Sequence, residues 1–192
     1  MAGNAQETRK RILIAAHTEF AERGIAGARI DRIAAMAGAN KSLIYAYFGN
    51  KDDLLTAVFD AHVVATLEAV PFDAGNLPDY AARLFDYYRA KPGLSRLATW
   101  ARLERSANTY QIEAIVAANR SKTDAIAAAQ QAGQLSRRFP PAVLLGLVLS
   151  IASVWNDVLP EYGAALAEVG PFTHEQQRDT IVAAVKLLVE IA

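Results

Sequence analysis

The sequence predicts an all-helical protein, and three observations carry that prediction. Of 192 residues, 53% are hydrophobic, alanine is abundant, and there are only 11 Gly and 7 Pro, a composition that favours helices. Apolar residues recur at the i, i+3, i+4, i+7 spacing of a helix face, as in Ile30, Ile33, Ala34 and Ala37. Most of the glycines and prolines fall between such segments rather than inside them. About nine helices result, and no strand.

The first helix is expected over residues 6–23, with Ile12, Ala15, Ala16 and Phe20 inward, Glu19 and Glu22 outward, and Gly24 as its end. Arg9, Lys10 and Arg11 give its start a basic face. The second runs over 30–37 and stops at Gly38, a residue that tolerates the left-handed conformation of helix ends. The third, 41–48, is capped by Asn40 or Ser42 and buries Ile44 and Phe48. A fourth spans 51–69, with Asp52 and Asp53 in the first turn, where the helix dipole favours acids.

Breakers at Pro71, Gly75 and Pro78 separate it from a helix over 77–90. After Lys91-Pro92-Gly93 comes a helix over 94–106, and then a longer one, capped by Asn108 or Thr109, that reaches about residue 132 before Gly133. Pro140-Pro141 opens a markedly apolar helix over 142–159, which Pro160 is expected to end. A loop through Gly170-Pro171 leads to Thr173, the predicted N-cap of the last helix, with Gln176 completing a capping box.

Composition excludes several function classes. With no cysteine there is no disulfide, thiolate metal site or cysteine nucleophile. The three histidines, His17, His62 and His174, form no metal-binding spacing. There is no Walker or Rossmann glycine loop and no nucleophile elbow, so no enzyme activity, metal or cofactor is expected. No apolar run of about 18 residues suits a membrane span, and the N-terminus lacks a signal-peptide core, which together predict a cytoplasmic protein.

Net charge is zero, but its distribution is uneven: residues 1–51 hold eight Lys/Arg against four Asp/Glu, and the remainder twelve against sixteen. A basic head that meets phosphate and a slightly acidic body fit that division. Residues 30–51, two short helices around a glycine turn, match a helix-turn-helix, whose second helix enters the DNA major groove.

The run Phe20…Gly24, Ile33-Ala34…Gly38, Tyr45-x-Tyr47-Phe48, Lys51 and Leu54-Leu55 resembles the N-terminal domain of the TetR family of transcriptional regulators. The resemblance covers about the first quarter of the chain. It implies a three-helix DNA-binding head over 1–50 and a helical ligand-binding and dimerisation body over 51–192.

On that resemblance Lys41, Ser42, Leu43 and Tyr45 face double-stranded operator DNA, with Arg29, Asn40, Tyr47 and Lys51 nearby. Lys41 suits guanine O6/N7, Leu43 a thymine methyl, and Arg29 and Lys51 the phosphates. Arg29, Asp31 and Gly49 depart from the family pattern, so an operator sequence does not carry over from relatives. Asp31 is expected to serve the helix N-terminus, with Arg32 turned elsewhere.

The family also implies a homodimer through its last two helices, which points to Leu144, Leu147, Val148, Ile151, Ile181, Val185 and Leu188 as interface. A small-molecule effector, of unknown identity, is expected among Phe85, Tyr88, Trp100, Leu103, Glu104, Asn108 and Trp155, aromatic walls with a few polar groups. The implied function is a ligand-responsive repressor. An activator, or a regulator answering to a protein partner, fits the same residues.

Overall fold

A computed structural model describes residues 2–104, 113–156 and 160–190. Among them lie ten α-helices and one short 3-10 turn, and no strand. The helices are α1 (Ala2–Gly27), α2 (Ile30–Ala37), α3 (Lys41–Phe48), α4 (Lys51–Ala69), α5 (Leu77–Ala90), α6 (Pro92–Glu104), α7 (Glu113–Gln131), α8 (Pro141–Ser153), α9 (Pro160–Val169) and α10 (His174–Val189). They form two compact units, one of residues 1–65 with 93–115, the other of 66–92 with 116–192.

The first unit is built on a core of Ile12, Ala16, Phe20, Ile33, Ile44, Leu54, Leu55 and Leu97, each almost wholly removed from water. Four helices, α1 to α4, each contribute a stripe at helical spacing, and α6 adds Leu97 and Ala101. Gly24 interrupts α1 at φ 72°, ψ 172°, as its composition predicts, but one further turn follows before Gly27. Glu19 departs from expectation. It is 3% exposed rather than outward, because two donors, the Arg29 backbone N–H and the Arg32 guanidinium, draw its carboxylate in.

In the second unit α5 packs against α8 and α10; Leu77, Tyr80, Leu84 and Phe85 of α5 are buried, and so are Leu144, Val148, Ile181 and Val185. These last four are completely buried within one chain. They are core, not the exposed interface expected of them. Periodicity is silent on this point: a helix apolar on every side does not say which side its own chain covers.

The apolar helix α8 ends at Ser153, short of the expected residue 159, and Pro160, expected to end it, instead opens α9, a position where its fixed φ is pre-organised for a helix. Thr173 caps α10 with the predicted capping box: its side chain accepts from the Gln176 N–H at 3.2 Å, and Gln176 accepts from the Thr173 N–H at 2.8 Å. The expected caps Asn108 and Thr109 lie outside the described residues.

Candidate nucleic-acid interface

Two helices of eight residues each, α2 and α3, are joined by Gly38 and the two residues after it. Gly38 adopts the left-handed conformation (φ 58°, ψ 41°), which lets its own N–H and that of Ala39 return to the α2 carbonyls of Ala34 and Ala35. The chain leaves α2 sharply. Asn40 then caps α3, its Oδ1 accepting from the Leu43 N–H at 2.7 Å, so the start of α3 is fixed by a side chain immediately after the turn.

Burial divides α3 cleanly. Ile44 and Phe48 go into the core. Lys41, Ser42, Tyr45 and Ala46 are exposed, Leu43 and Tyr47 half-buried, and Tyr45 is 45% exposed. Exposed in this way are an ammonium, a hydroxyl, a phenol and, at Leu43, an aliphatic edge. That set suits base edges and phosphates.

Lys41 is not free. Its ammonium pairs with Asp31 of α2 at 2.7 Å, and the hydrogen bond and charge of Asp31 hold its pKa above the ordinary lysine value. Both partners are exposed, so the pair is exchangeable. Arg32, the neighbour of Asp31, turns away to Glu19 and to the Gly27 carbonyl at 2.7 Å. Burial raises the Glu19 carboxyl, but hydrogen bonds from Arg32 and from the Arg29 backbone outweigh it and leave the group below the usual glutamate range.

The flanking residues have mixed placements. Arg29 is the extended residue before α2 and its side chain is exposed. Asn40 spends its oxygen on the cap, leaving its amide N–H groups outward. Tyr47 packs edge-on against Phe48, with ring centroids 6.2 Å apart. Lys51, expected on phosphate, donates to the carbonyls of Ala26 at 3.3 Å and Ala28 at 3.0 Å. Arg9 lies over the Phe48 ring at 5.1 Å, so α1 contributes a cation to the unit's basic surface.

The expected effector residues are shared between the two units. Trp100, Leu103 and Glu104 belong to the first unit, and Phe85, Tyr88 and Trp155 to the second. Leu103 is 73% exposed. Glu104 is committed to backbone: its carboxylate accepts from the N–H of Ile25 at 3.0 Å and also from that of Ala26. Asn108 lies outside the described residues.

Within the second unit Phe85 is fully buried and stacks on His174, with centroids 5.4 Å apart. Burial pushes the Tyr88 hydroxyl pKa up. Trp155 tilts against Phe172, and its buried indole N–H finds no acceptor among the described residues. An open hollow of about 480 Å³ between the end of α7 and the start of α8 is bordered by Gln130, Arg137, Phe139 and Pro141, and by none of the expected residues.

Residues 12–58 match the family described as bacterial regulatory proteins, tetR family, and residues 76–186 the tetracyclin repressor-like C-terminal domain. The HTH-type transcriptional repressor SCO4008 of Streptomyces coelicolor is 37% identical over 190 residues, 98% of each chain. The crystal structure of SCO4942, also from Streptomyces coelicolor, superposes with a TM-score of 0.82 at 38% identity, covering 95% of this chain and 98% of that one. AibR, solved with isovaleryl coenzyme A and operator DNA, shares the fold at a TM-score of 0.66 and 21% identity over 93% of this chain and 97% of its own.

Proposed function

This chain belongs to the TetR family of transcriptional regulators, and from that premise we propose that it is a repressor that binds a pseudo-palindromic operator as a homodimer and is released by a small molecule. The observation that carries the reading is the division of α3. One face is locked into the core by Ile44 and Phe48, and the other offers Lys41, Ser42 and Tyr45 to a partner.

In this reading residues 1–50 form the DNA-binding head and 51–192 the effector and dimerisation body. Lys41, Ser42, Leu43 and Tyr45 enter the major groove. Arg29, Asn40 and Tyr47 flank them, and the N–H of Lys51 left over from its two carbonyl bonds is available to phosphate. Lys41 must exchange Asp31 for DNA.

The dimer face is the outer side of α8 and α10, not the buried one. Val143 of α8 and Val154, the residue that follows it, are 49% and 50% exposed, and Leu187 of α10 is 66% exposed. Leu147, Ile151 and Leu188 stand half-buried at its edge. Gly146 has nothing within 4 Å of where a Cβ would stand, which lets a second backbone come close.

Phe85, Tyr88 and Trp155 are the second unit's candidates for effector contact, the Trp155 N–H supporting a ligand that carries a hydrogen-bond acceptor. Such a ligand weakens operator binding only by its preference for the non-binding arrangement of the protein. No helix among the described residues is long and apolar enough by itself to cross a membrane, in keeping with a cytoplasmic site of action.

Selection of duplexes from a random pool by the purified protein, followed by a salt titration on the enriched sequence, tests the reading. An inverted repeat with half-sites about 34–36 Å apart or a multiple of that, bound less tightly as salt rises, is the expected result. No enrichment at low salt overturns it.

A further inference from the structure

We propose that Glu104 is a positioning residue for DNA binding, acting through the backbone of residues 24–29; the inference rests on the reading that α3 meets DNA. The break at Gly24 restarts the α1 helix for one turn. A restarted turn has amides with no helical acceptor, and glycine has no side chain with which to cap them. Glu104, 78 and 79 residues further along the chain, caps both Ile25 and Ala26 with one carboxylate.

Gly24 is built for that approach. A Cβ there would stand 2.5 Å from Glu104 Oε1 and 3.2 Å from the Trp100 ring, and its φ of 72° is itself unfavourable to other residues.

The rest of this elbow is held by charged side chains as well. Lys51 donates to the carbonyls of Ala26 and Ala28, Arg32 to that of Gly27, and Glu19 accepts from the Arg29 N–H. Three of the four belong to helices of the helix-turn-helix head or the first turn after it. Glu104 alone comes from α6.

Helix α2 starts at Ile30, directly after the elbow, and through Asp31 it holds Lys41 of α3. The direction of α2, and with it the pose of α3, therefore follows from how residues 24–29 are held. A carboxylate is repelled by phosphate, so any gain in DNA affinity from Glu104 runs through the backbone it caps.

The test uses the full-length protein and three forms of it: wild type, Glu104→Gln and Glu104→Ala. Gln keeps one carbonyl acceptor but turns an amide NH2 toward the second N–H, so it should fall between the other two. Stoichiometric titration gives the fraction of protein competent to bind the selected operator, and dilute titration gives Kd. The expected result is a Kd raised about five- to tenfold in the Ala variant, with an unchanged competent fraction, an unchanged salt slope and faster amide hydrogen exchange at Ile25 and Ala26.

An unchanged Kd overturns the proposal. So does a loss confined to the competent fraction, which would mark Glu104 as merely structural, or a changed salt slope, which would mark a direct electrostatic effect on DNA. Should the wild type enrich no duplex, the DNA reading fails and takes the positioning role with it; unchanged exchange at Ile25 and Ala26 would then show separately that the cap itself is absent.

Discussion

The elbow of residues 24–29 and the α5–α8–α10 layer solve the same problem, holding helices in place, by opposite means. The elbow is fastened by Glu19, Arg32, Lys51 and Glu104 to backbone donors and acceptors. The layer is fastened mainly by apolar burial, of Leu144, Val148, Ile181 and Val185 with Leu84 and Phe85, while its ion pairs from His174 and Arg178 to Asp79 and Asp86 are partly exposed. Hydrogen bonds to charged groups are directional and fix an angle, whereas apolar burial is roughly proportional to area and tolerates small rotations. A segment that must aim a helix uses the first means, and one that must only stay together uses the second.

Four substitutions and one titration bear on that contrast. The largest effect should be in the layer: Ile181→Ala leaves a cavity among fully buried neighbours and should cost about 2–5 kcal/mol of unfolding free energy, read by denaturant titration. A cost under about 1 kcal/mol would mean the layer is loosely packed. Next comes the elbow: Glu19→Ala strips the acceptor from the Arg29 N–H and should cost about 1–3 kcal/mol, with operator affinity falling further than stability alone explains.

Asn40→Ala removes a single local cap and should cost about 1 kcal/mol, with weaker DNA binding at unchanged dimerisation. The smallest effect on stability is expected for Asp31→Asn, which removes an exposed pair. Its DNA affinity should nonetheless rise, and more at low salt than at high, because Lys41 is released and a like charge to phosphate is lost. Unchanged affinity would show that the pair does not compete with DNA.

Acid should distinguish the two regions. Glu19 has a folded pKa below its unfolded one, so its contribution is full above the ordinary glutamate value of about 4.3 and is lost as pH falls from there through the folded value. His17, whose pKa burial lowers, adds a second loss in the first unit that begins nearer its unfolded value of 6.5. The buried faces of α8 and α10 carry only apolar side chains. Hydrogen exchange as a function of pH should therefore show the first unit loosening before α8 and α10; simultaneous loss would remove the contrast.

The parts of the fold that were legible in the sequence are those written in neighbouring residues. The limits of α2 and α3, the left-handed Gly38, the Asn40 cap and the Thr173–Gln176 box are all settled within about four positions. Glu19, Lys51 and Glu104 are different: their partners lie 10, 23 and 79 residues away, and no local spacing points to them. The one local signal that points toward Glu104 is Gly24, a helix break with no cap of its own. Pro160 is ambiguous in the sequence, because proline serves equally as a helix stop and as a helix start. The apolar α8 announced burial without saying which of its faces the chain itself would cover.

The elbow also has a mechanical meaning. With eight residues, α2 is about 12 Å long at about 1.5 Å per residue, so it is a lever with its fulcrum at residues 24–29. A tilt of about 5° there carries the far end, and the start of α3 attached to it, through about 1 Å on that geometry. Hydrogen bonds of the N–H···O kind span only about 0.5 Å of distance between good and lost. The tolerance of whatever α3 reads is thus set at the opposite end of α2, by four side chains of which none lies on α3 itself.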